Sequence, residues 1–151
     1  MWIQPAPSEP MSRRSRAREV VLQLLYQFDQ NRQAVGEQES KFLTRRLRDP
    51  ELEAFAAQLY QGTLDRRKEI DERLAQVAEN WSVERMAAVD RNILRLGVYE
   101  LLFASDTPPK VAMDEAIELA KRFGSADSPA FVNGILDKLA SLRKPPPSTE
   151  P

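Results

Sequence analysis

The sequence predicts an all-α protein of six to seven helices. Glycine is scarce, at 5 of 151 residues, and apolar residues recur at helical spacing along most of the chain. No stretch alternates between apolar and polar residues as a half-buried strand does. Residues 90–104 are hydrophobic almost all round, a pattern typical of a helix buried on several sides. We therefore expect two small bundles packed around this central helix.

The N-terminal part predicts two helices. The first extends over about residues 12–30, and the second covers about 38–48. Pro50 favours a break after the second helix, because the residue before a proline disfavours helical geometry. The apolar face of the first helix consists of Ala17, Val20, Val21, Leu24, Leu25 and Phe28.

The middle of the chain predicts one long helix over 51–80. Its apolar face shifts near Gly62-Thr63, where we expect a kink. Ser82 and Asp90 are candidate N-caps for the elements that follow, since short polar side chains accept hydrogen bonds from the first free N–H groups of a helix.

Two further helices are predicted within residues 110–139. Gly124 should end the first of them. Ser128 followed by Pro129 predicts the start of the second, with serine as the N-cap and proline at the first helical position.

The corner between these two helices is a candidate binding site. Phe123 and Phe131 flank Asp127 and a helix N-terminus, a set of groups that can stack a base, accept a hydrogen bond and bind an anion. The helical spacing alone favours core positions for both rings, and Asp127 could simply cap the last helix. Both interpretations remain open at this point.

A cluster of arginines at the start of the first helix is a second candidate. Arg13, Arg14, Arg16 and Arg18 give residues 1–18 a charge of +3, whereas the whole chain carries −1. Cations at a helix N-terminus oppose the helix dipole, so local stability does not call for them. Guanidinium groups bind phosphates and stack on bases, which indicates contact with nucleic acid. A solvated basic terminus is the alternative.

The third candidate is a charged strip on the central helix, formed by Asp90, Arg91, Arg95, Tyr99 and Glu100. Residues four apart share a helix face. The spacing is equally consistent with a solvated face and with a protein interface.

The composition excludes several chemistries. Without cysteine there is no disulfide or thiolate metal site, and without histidine there is no imidazole base or ligand. No glycine-rich phosphate loop and no apolar run long enough to cross a bilayer occurs. The sequence therefore predicts a non-enzymatic protein with no cofactor or metal, and its composition fits a reducing cytoplasm.

The ends of the chain differ in composition from the rest. Residues 1–11 form an expected flexible leader, within which Met11 could be the true start. Residues 144–151 are an expected disordered, proline-rich tail. A single helical domain is expected over 12–143.

These residues resemble the NusB family of bacterial transcription antitermination factors. The resemblance is densest in 93–101 (ILRLGVYEL), in 110–124 and in 131–137 (FVNGILD), and a second block covers 13–26. It implies two roughly perpendicular three-helix bundles. It also implies binding, together with the ribosomal protein NusE, to the box A element of nascent ribosomal RNA, which helps RNA polymerase resist termination.

The resemblance also assigns site residues. The implied RNA contacts are Arg13, Arg14, Arg16, Arg18, Phe123, Asp127 and Phe131. The implied NusE contacts are Tyr26, Asp90 and Arg91. The family includes monomers and homodimers, and the sequence does not decide between them.

Two alternatives belong to other classes. One is a helical dimerisation module without specific RNA readout. The other is a stand-alone relative of the N-terminal domain of ribosomal RNA cytosine methyltransferases. Such an enzyme needs a catalytic cysteine, and this chain has none.

Overall fold

The computed structural model describes residues 12–31, 37–78 and 82–142. These residues form seven α-helices, one 3-10 turn and one π-helical segment, and they contain no strand, so the all-α prediction is confirmed. The helices are α1 (Arg13–Gln30), α2 (Glu37–Leu47), α3 (Pro50–Asp65), α4 (Arg67–Val77), α5 (Ala88–Val98), α6 (Pro109–Phe123) and α7 (Ser128–Leu142). The 3-10 turn is Val83–Arg85 and the π segment is Tyr99–Phe103. The predicted leader and the predicted tail lie outside the described residues.

The central helix is α5, as predicted. Every residue from 92 to 101 is buried. Helices α1, α2 and α3 pack on one another, and α1 and α3 also contact α5. Helices α6 and α7 pack on each other and on α5, and α4 contacts α5 and α7. Fully burying a large apolar side chain contributes about 1.5–3 kcal/mol, so this helix organises most of the core. No helix of the described part is both long and apolar enough to span a membrane.

The π segment that continues α5 is not predicted by the apolar pattern. The N–H of Ala104 donates to the carbonyl of Tyr99 at 3.0 Å, a bond that spans five residues instead of four. One extra residue in a turn rotates the side chains around it, and such segments occur frequently at functional sites. In this turn the Glu100 carboxylate faces the interior and is only 2% exposed.

The boundary between α2 and α3 lies where the sequence places it. Helix α2 ends at Leu47, and Arg48 adopts a positive φ of 54°. Pro50 is the first residue of α3, where its missing N–H costs no hydrogen bond. The Asp49 side chain caps this helix by accepting from the N–H of Glu51 at 3.1 Å.

The predicted long helix over 51–80 is wrong, because two helices occupy the described part of this stretch. The break lies at Arg66, which leaves helical geometry (φ −106°, ψ 12°), and not at Gly62-Thr63. Gly62 lies inside α3, where the Tyr99 ring packs directly against its backbone. A close approach between distant segments, rather than a bend, explains this glycine.

The two predicted N-caps before α5 have different outcomes. Ser82 caps the 3-10 turn, since its Oγ accepts from the N–H of Arg85 at 3.3 Å. Asp90 is not an N-cap, because α5 begins at Ala88 and Asp90 lies in its first turn. A carboxylate in the first turn still stabilises the helix dipole.

In the corner between α6 and α7, helix α7 begins one residue earlier than predicted, at Ser128. Gly124 ends α6 as expected, and a Cβ at this position would overlap the Ser128 side chain. Ser128 is not the N-cap of α7: its Oγ accepts from the N–H of Ser125 at 2.9 Å and closes the loop. The backbone carbonyl of Asp127 accepts the first helical hydrogen bond, from Phe131.

We predict that Gly62→Ala destabilises the protein by about 1–3 kcal/mol, because the added methyl group must displace the Tyr99 ring. Gly134→Ala is the matched control in α7. A Cβ there meets no neighbouring atom, so the better helix propensity of alanine should add up to about 1 kcal/mol. Urea unfolding of both variants measures the difference, and equal effects would contradict the packing argument.

Candidate nucleic-acid interface

The arginine cluster divides into exposed and buried members. Arg13, Arg14 and Arg16 are exposed on the first turns of α1. Arg13 pairs with Asp49, and the Arg14 guanidinium lies 4.5 Å from the centroid of the Phe55 ring. These contacts hold the cations in place on the surface without removing them from solvent.

Arg18 is buried, with 3% of its surface exposed. Its Nε and Nη2 donate to the two carboxylate oxygens of Glu100 at 2.8 and 2.9 Å. The Thr107 hydroxyl donates to the same carboxylate at 3.1 Å, and Glu115 lies 3.6 Å from Nη1 of Arg18. Because its guanidinium is enclosed and bound in this way, Arg18 does not face a ligand on the surface. It fixes α1 against the π segment.

Glu19 lies at the centre of a second cationic group, which we call the Glu19 cluster: Glu19, Arg16, Arg46 and Arg122. Burial raises the pKa of the Glu19 carboxyl, and the charges of Arg122, Arg46 and Arg16 oppose this rise. The Arg16 guanidinium donates to the Arg46 carbonyl at 3.2 Å, and Arg46 donates to Gln23 Oε1 at 2.8 Å. Arg122 also lies 3.3 Å from the Glu118 carboxylate, so three guanidinium groups against two carboxylates leave a small excess of positive charge beside α1.

The Glu19 cluster connects α1 with the corner. Arg122 lies in the last turn of α6, directly before Phe123. Nearer the start of α6, the Ser15 hydroxyl donates to the Glu115 carboxylate at 2.8 and 2.9 Å. The N-terminal half of α1 therefore runs beside α6, and α6 leads into the corner.

The three corner residues differ in exposure. Asp127 is exposed, Phe131 is half-buried, and Phe123 is 3% exposed and belongs to the core. Only the Asp127 carboxylate and part of the Phe131 ring are therefore presented to solvent. Phe123 supports the corner from the core, as its helical spacing predicts.

The predicted partner-binding residues lie at the other end of α1. Tyr26 and Asp90 are half-buried and remain accessible. Arg91 is engaged inside the protein, since its Nε and Nη2 donate to Asp29 Oδ2 at 2.9 and 2.6 Å. Its Nη1 also donates to the backbone carbonyls of Val83, Glu84 and Met86 at 3.1–3.2 Å. Arg91 thus holds the 3-10 turn against α1.

A solvated face is wrong for most of the charged strip, because most of its charge is buried. Arg95 donates through Nε and Nη2 to the two carboxylate oxygens of Asp71, each at 2.9 Å. Arg95, Tyr99 and Glu100 are all buried. Arg91 and Arg95 form internal ion pairs that join α5 to α1 and α4, whereas Asp90, at the start of the strip, remains accessible.

Asp29 is the shared acceptor of this network. Burial disfavours its charge, but hydrogen bonds from Arg91 and Asn92 and the charge of Arg95 outweigh burial, so the pKa of Asp29 is lowered. Asn92 Nδ2 donates to Asp29 at 3.0 Å, and Arg95 lies 3.4 Å from the other carboxylate oxygen.

Sequence reasoning missed three residues of this surface. Arg46 and Arg122 complete the Glu19 cluster, and Phe55 supports Arg14. The position of Arg122 in the last turn of α6, next to the predicted corner, was a usable signal. The positions of Arg46 and Phe55 were not, because both residues reach α1 only through the packing of α2 and α3.

Comparison with known proteins agrees with this architecture. A model of the NusB family matches residues 15–141. The chain belongs to the NusB family. A transcription antitermination protein NusB from Geobacter sulfurreducens is 48% identical over 136 residues, covering 87% of this chain and 96% of the relative. The resemblance seen in the sequence is therefore confirmed.

Solved structures of the NusB family have the same fold. T. maritima NusB superimposes with a TM-score of 0.77 at 39% identity, covering 89% of this chain and 94% of the other. A chain from a structure of the antitermination factors NusB and NusE with double-stranded RNA gives a TM-score of 0.76 at 25% identity. This match covers 89% of this chain and all of the other.

We predict that Asp29→Asn lowers the free energy of unfolding by about 3 kcal/mol at neutral pH, because it leaves Arg91 and Arg95 without their shared counter-charge. Since the folded pKa of Asp29 lies below its usual 3.8, its contribution is fully present above that value and is lost as the pH falls through the folded pKa. The difference from wild type should therefore shrink in acid.

Urea unfolding at neutral pH and in acid measures this difference. The matched control is Asp65→Asn, an exposed carboxylate bound only by Gln61 within the described residues, which should change stability by less than about 0.5 kcal/mol. A pH-independent difference between wild type and Asp29→Asn would contradict the role of the charge.

Proposed function

We propose that this chain is a non-enzymatic transcription antitermination factor that binds the box A element of nascent ribosomal RNA together with NusE. In this role it helps RNA polymerase resist termination, and it acts in the cytoplasm. The observation that carries the proposal is the family match over residues 15–141. A similar structure that contains NusB, NusE and RNA supports the choice of partners.

The exposed cations support RNA as the ligand. Arg13, Arg14 and Arg16 bind phosphates, and Arg122 of the Glu19 cluster adds a positive charge at the end of α6, beside the corner. Such contacts supply affinity and carry no sequence information. Arg18 contributes indirectly, by holding α1 in place through Glu100.

The corner supplies sequence readout. Single-stranded RNA is read on unstacked bases by stacking and by hydrogen bonds to base edges. The Asp127 carboxylate accepts hydrogen bonds from a base, and the half-buried Phe131 ring stacks on one. Phe123 holds this arrangement from the core. On the other end of α1, Tyr26 and Asp90 contact NusE, and Arg91 fixes the backbone beside them.

We predict that Arg14→Ala combined with Arg16→Ala weakens binding to every RNA and flattens its salt dependence. Each phosphate contact on a single strand contributes about −0.7 to the log–log slope, so two lost contacts change it by about 1.4. Fluorescence anisotropy at several salt concentrations measures this slope. The control pair, Arg73→Ala with Arg85→Ala, removes the same charge from exposed positions elsewhere and should leave the slope unchanged. An unaltered slope in the first pair would rule out the phosphate role.

We predict that Asp127→Asn lowers affinity for box A RNA by about 10-fold and affinity for a scrambled RNA much less, since a base contact is worth roughly 1–3 kcal/mol. Asp137→Asn, an exposed carboxylate later in α7, is the control. The assay is anisotropy with both RNAs, with and without NusE. Equal losses on both RNAs would remove the readout role. Equal affinity of the wild type for both RNAs, with NusE present, would instead favour the dimerisation module.

A further inference from the structure

A groove lies on the side of α1 that faces α3, away from the Glu19 cluster. It encloses about 310 Å³, within the range of small-ligand sites, which begins near 300 Å³. Its walls come from α3, from the π segment and from the loop that follows. Its principal lining residues are Arg14, Phe55, Tyr99, Phe103, Asp106 and Thr107. We call it the Phe55 groove.

The Phe55 groove opens towards the exposed arginines. A second cavity, of about 400 Å³, lies next to the groove, and Ser12, Arg13 and Glu51 line it. Both cavities share Arg14 and Phe55. An RNA strand whose phosphates lie on Arg13 and Arg14 therefore passes the mouth of the groove.

The walls of the groove suit a flat, polar ring. The Arg14 guanidinium already lies over the Phe55 ring at 4.5 Å, and the Arg66 guanidinium lies 4.4 Å from the centroid of the Phe103 ring. A planar guanidinium on an aromatic face occupies the position that a nucleobase takes when it stacks. Both rings are half-buried and each carries a guanidinium group, so a base stacks on the Phe55 ring by taking the place of the exposed Arg14 guanidinium.

The polar group at the rim selects among bases. Asp106 is exposed, and its only hydrogen bond within the described residues is a long one from Ser105, at 3.5 Å. An ionised carboxylate can only accept hydrogen bonds. Guanine presents two adjacent donors, N1–H and the N2 amino group, on its Watson–Crick edge, whereas uracil places carbonyl oxygens on both sides of its single N–H. A carboxylate at this place favours guanine.

We propose that the Phe55 groove binds one unstacked guanine of the RNA, outside the corner at Asp127. The base replaces the Arg14 guanidinium on the Phe55 ring, beside Phe103, its Watson–Crick edge donates to the Asp106 carboxylate, and Arg14 turns to the phosphate. This inference rests on the proposed function in that both require single-stranded RNA on α1. It adds a base-specific site on a separate part of the surface.

The test compares two labelled octanucleotides by anisotropy, an all-uridine strand and the same strand with one central guanosine. The wild-type full-length chain should bind the guanosine strand about 10-fold more tightly, as expected for one base contact. Asp106→Asn should reduce this ratio to below about 2-fold and leave affinity for the all-uridine strand unchanged. Asp106 is exposed, and thermal unfolding of the variant verifies that it folds as the wild type does.

Two control variants locate the effect. Asp137→Asn removes an equivalent exposed carboxylate and should keep the wild-type ratio. Asp127→Asn distinguishes the two carboxylates: a loss of the ratio in Asp127→Asn would assign guanine to the corner and overturn the proposal. Equal binding of both octanucleotides by the wild type, or an unchanged ratio in Asp106→Asn, would overturn it as well.

The outcome is separable from that of the proposed function. A preference for box A over scrambled RNA that survives in Asp106→Asn, combined with no guanosine preference in the octanucleotides, refutes the groove alone. A guanosine preference that depends on Asp106, without any preference for box A, supports the groove and refutes the antitermination role.

Discussion

The arrangement of the exposed arginines on α1 depends on the buried pair between Arg18 and Glu100. Two charge-assisted hydrogen bonds join the second turn of α1 to the π segment, across 82 positions of sequence. Desolvation offsets much of the attraction in such a pair, whereas removal of either partner alone leaves a buried charge at a cost of about 3–5 kcal/mol. The pair therefore selects one orientation of α1, and that orientation turns Arg14 and Arg16 outwards.

Most of the helical architecture follows from local sequence. Apolar spacing and the breakers Pro50 and Gly124 place the helices and the central position of α5. The errors arise where a contact that spacing within one helix does not show sets the role of a residue. The sequence around Gly62 predicts a kink, but this glycine instead makes room for the Tyr99 ring against its backbone. Ser128 has the sequence pattern of an N-cap, but its hydroxyl closes the preceding loop. The spacing of residues along one helix does not reveal such contacts.

In the candidate site, too, the local sequence predicts some features and contacts with other helices decide the rest. Arg14 and Arg18 are four residues apart and lie on one side of α1, so the sequence treats them alike. One faces solvent and the other is enclosed, because Glu100 meets only the second. Arg91 and Arg95 likewise have a surface-like pattern and an interior position, since Asp29 and Asp71 arrive from other helices. The chemical nature of the side chains was predictable, and their accessibility was not.

The surplus residue in the Tyr99–Phe103 turn sets the angular positions of the side chains inside that turn. An α-helix advances by about 100° per residue, and a π turn advances less per residue because it holds one residue more. Deleting a single position here would let the segment close as an ordinary α-helical turn, and the residues beyond it would keep nearly the same direction. The side chains within the turn would be redistributed around the axis, and the position from which Glu100 meets Arg18 would be lost. The extra residue is therefore the condition for the geometry of this one ion pair, and not for the course of the chain beyond it.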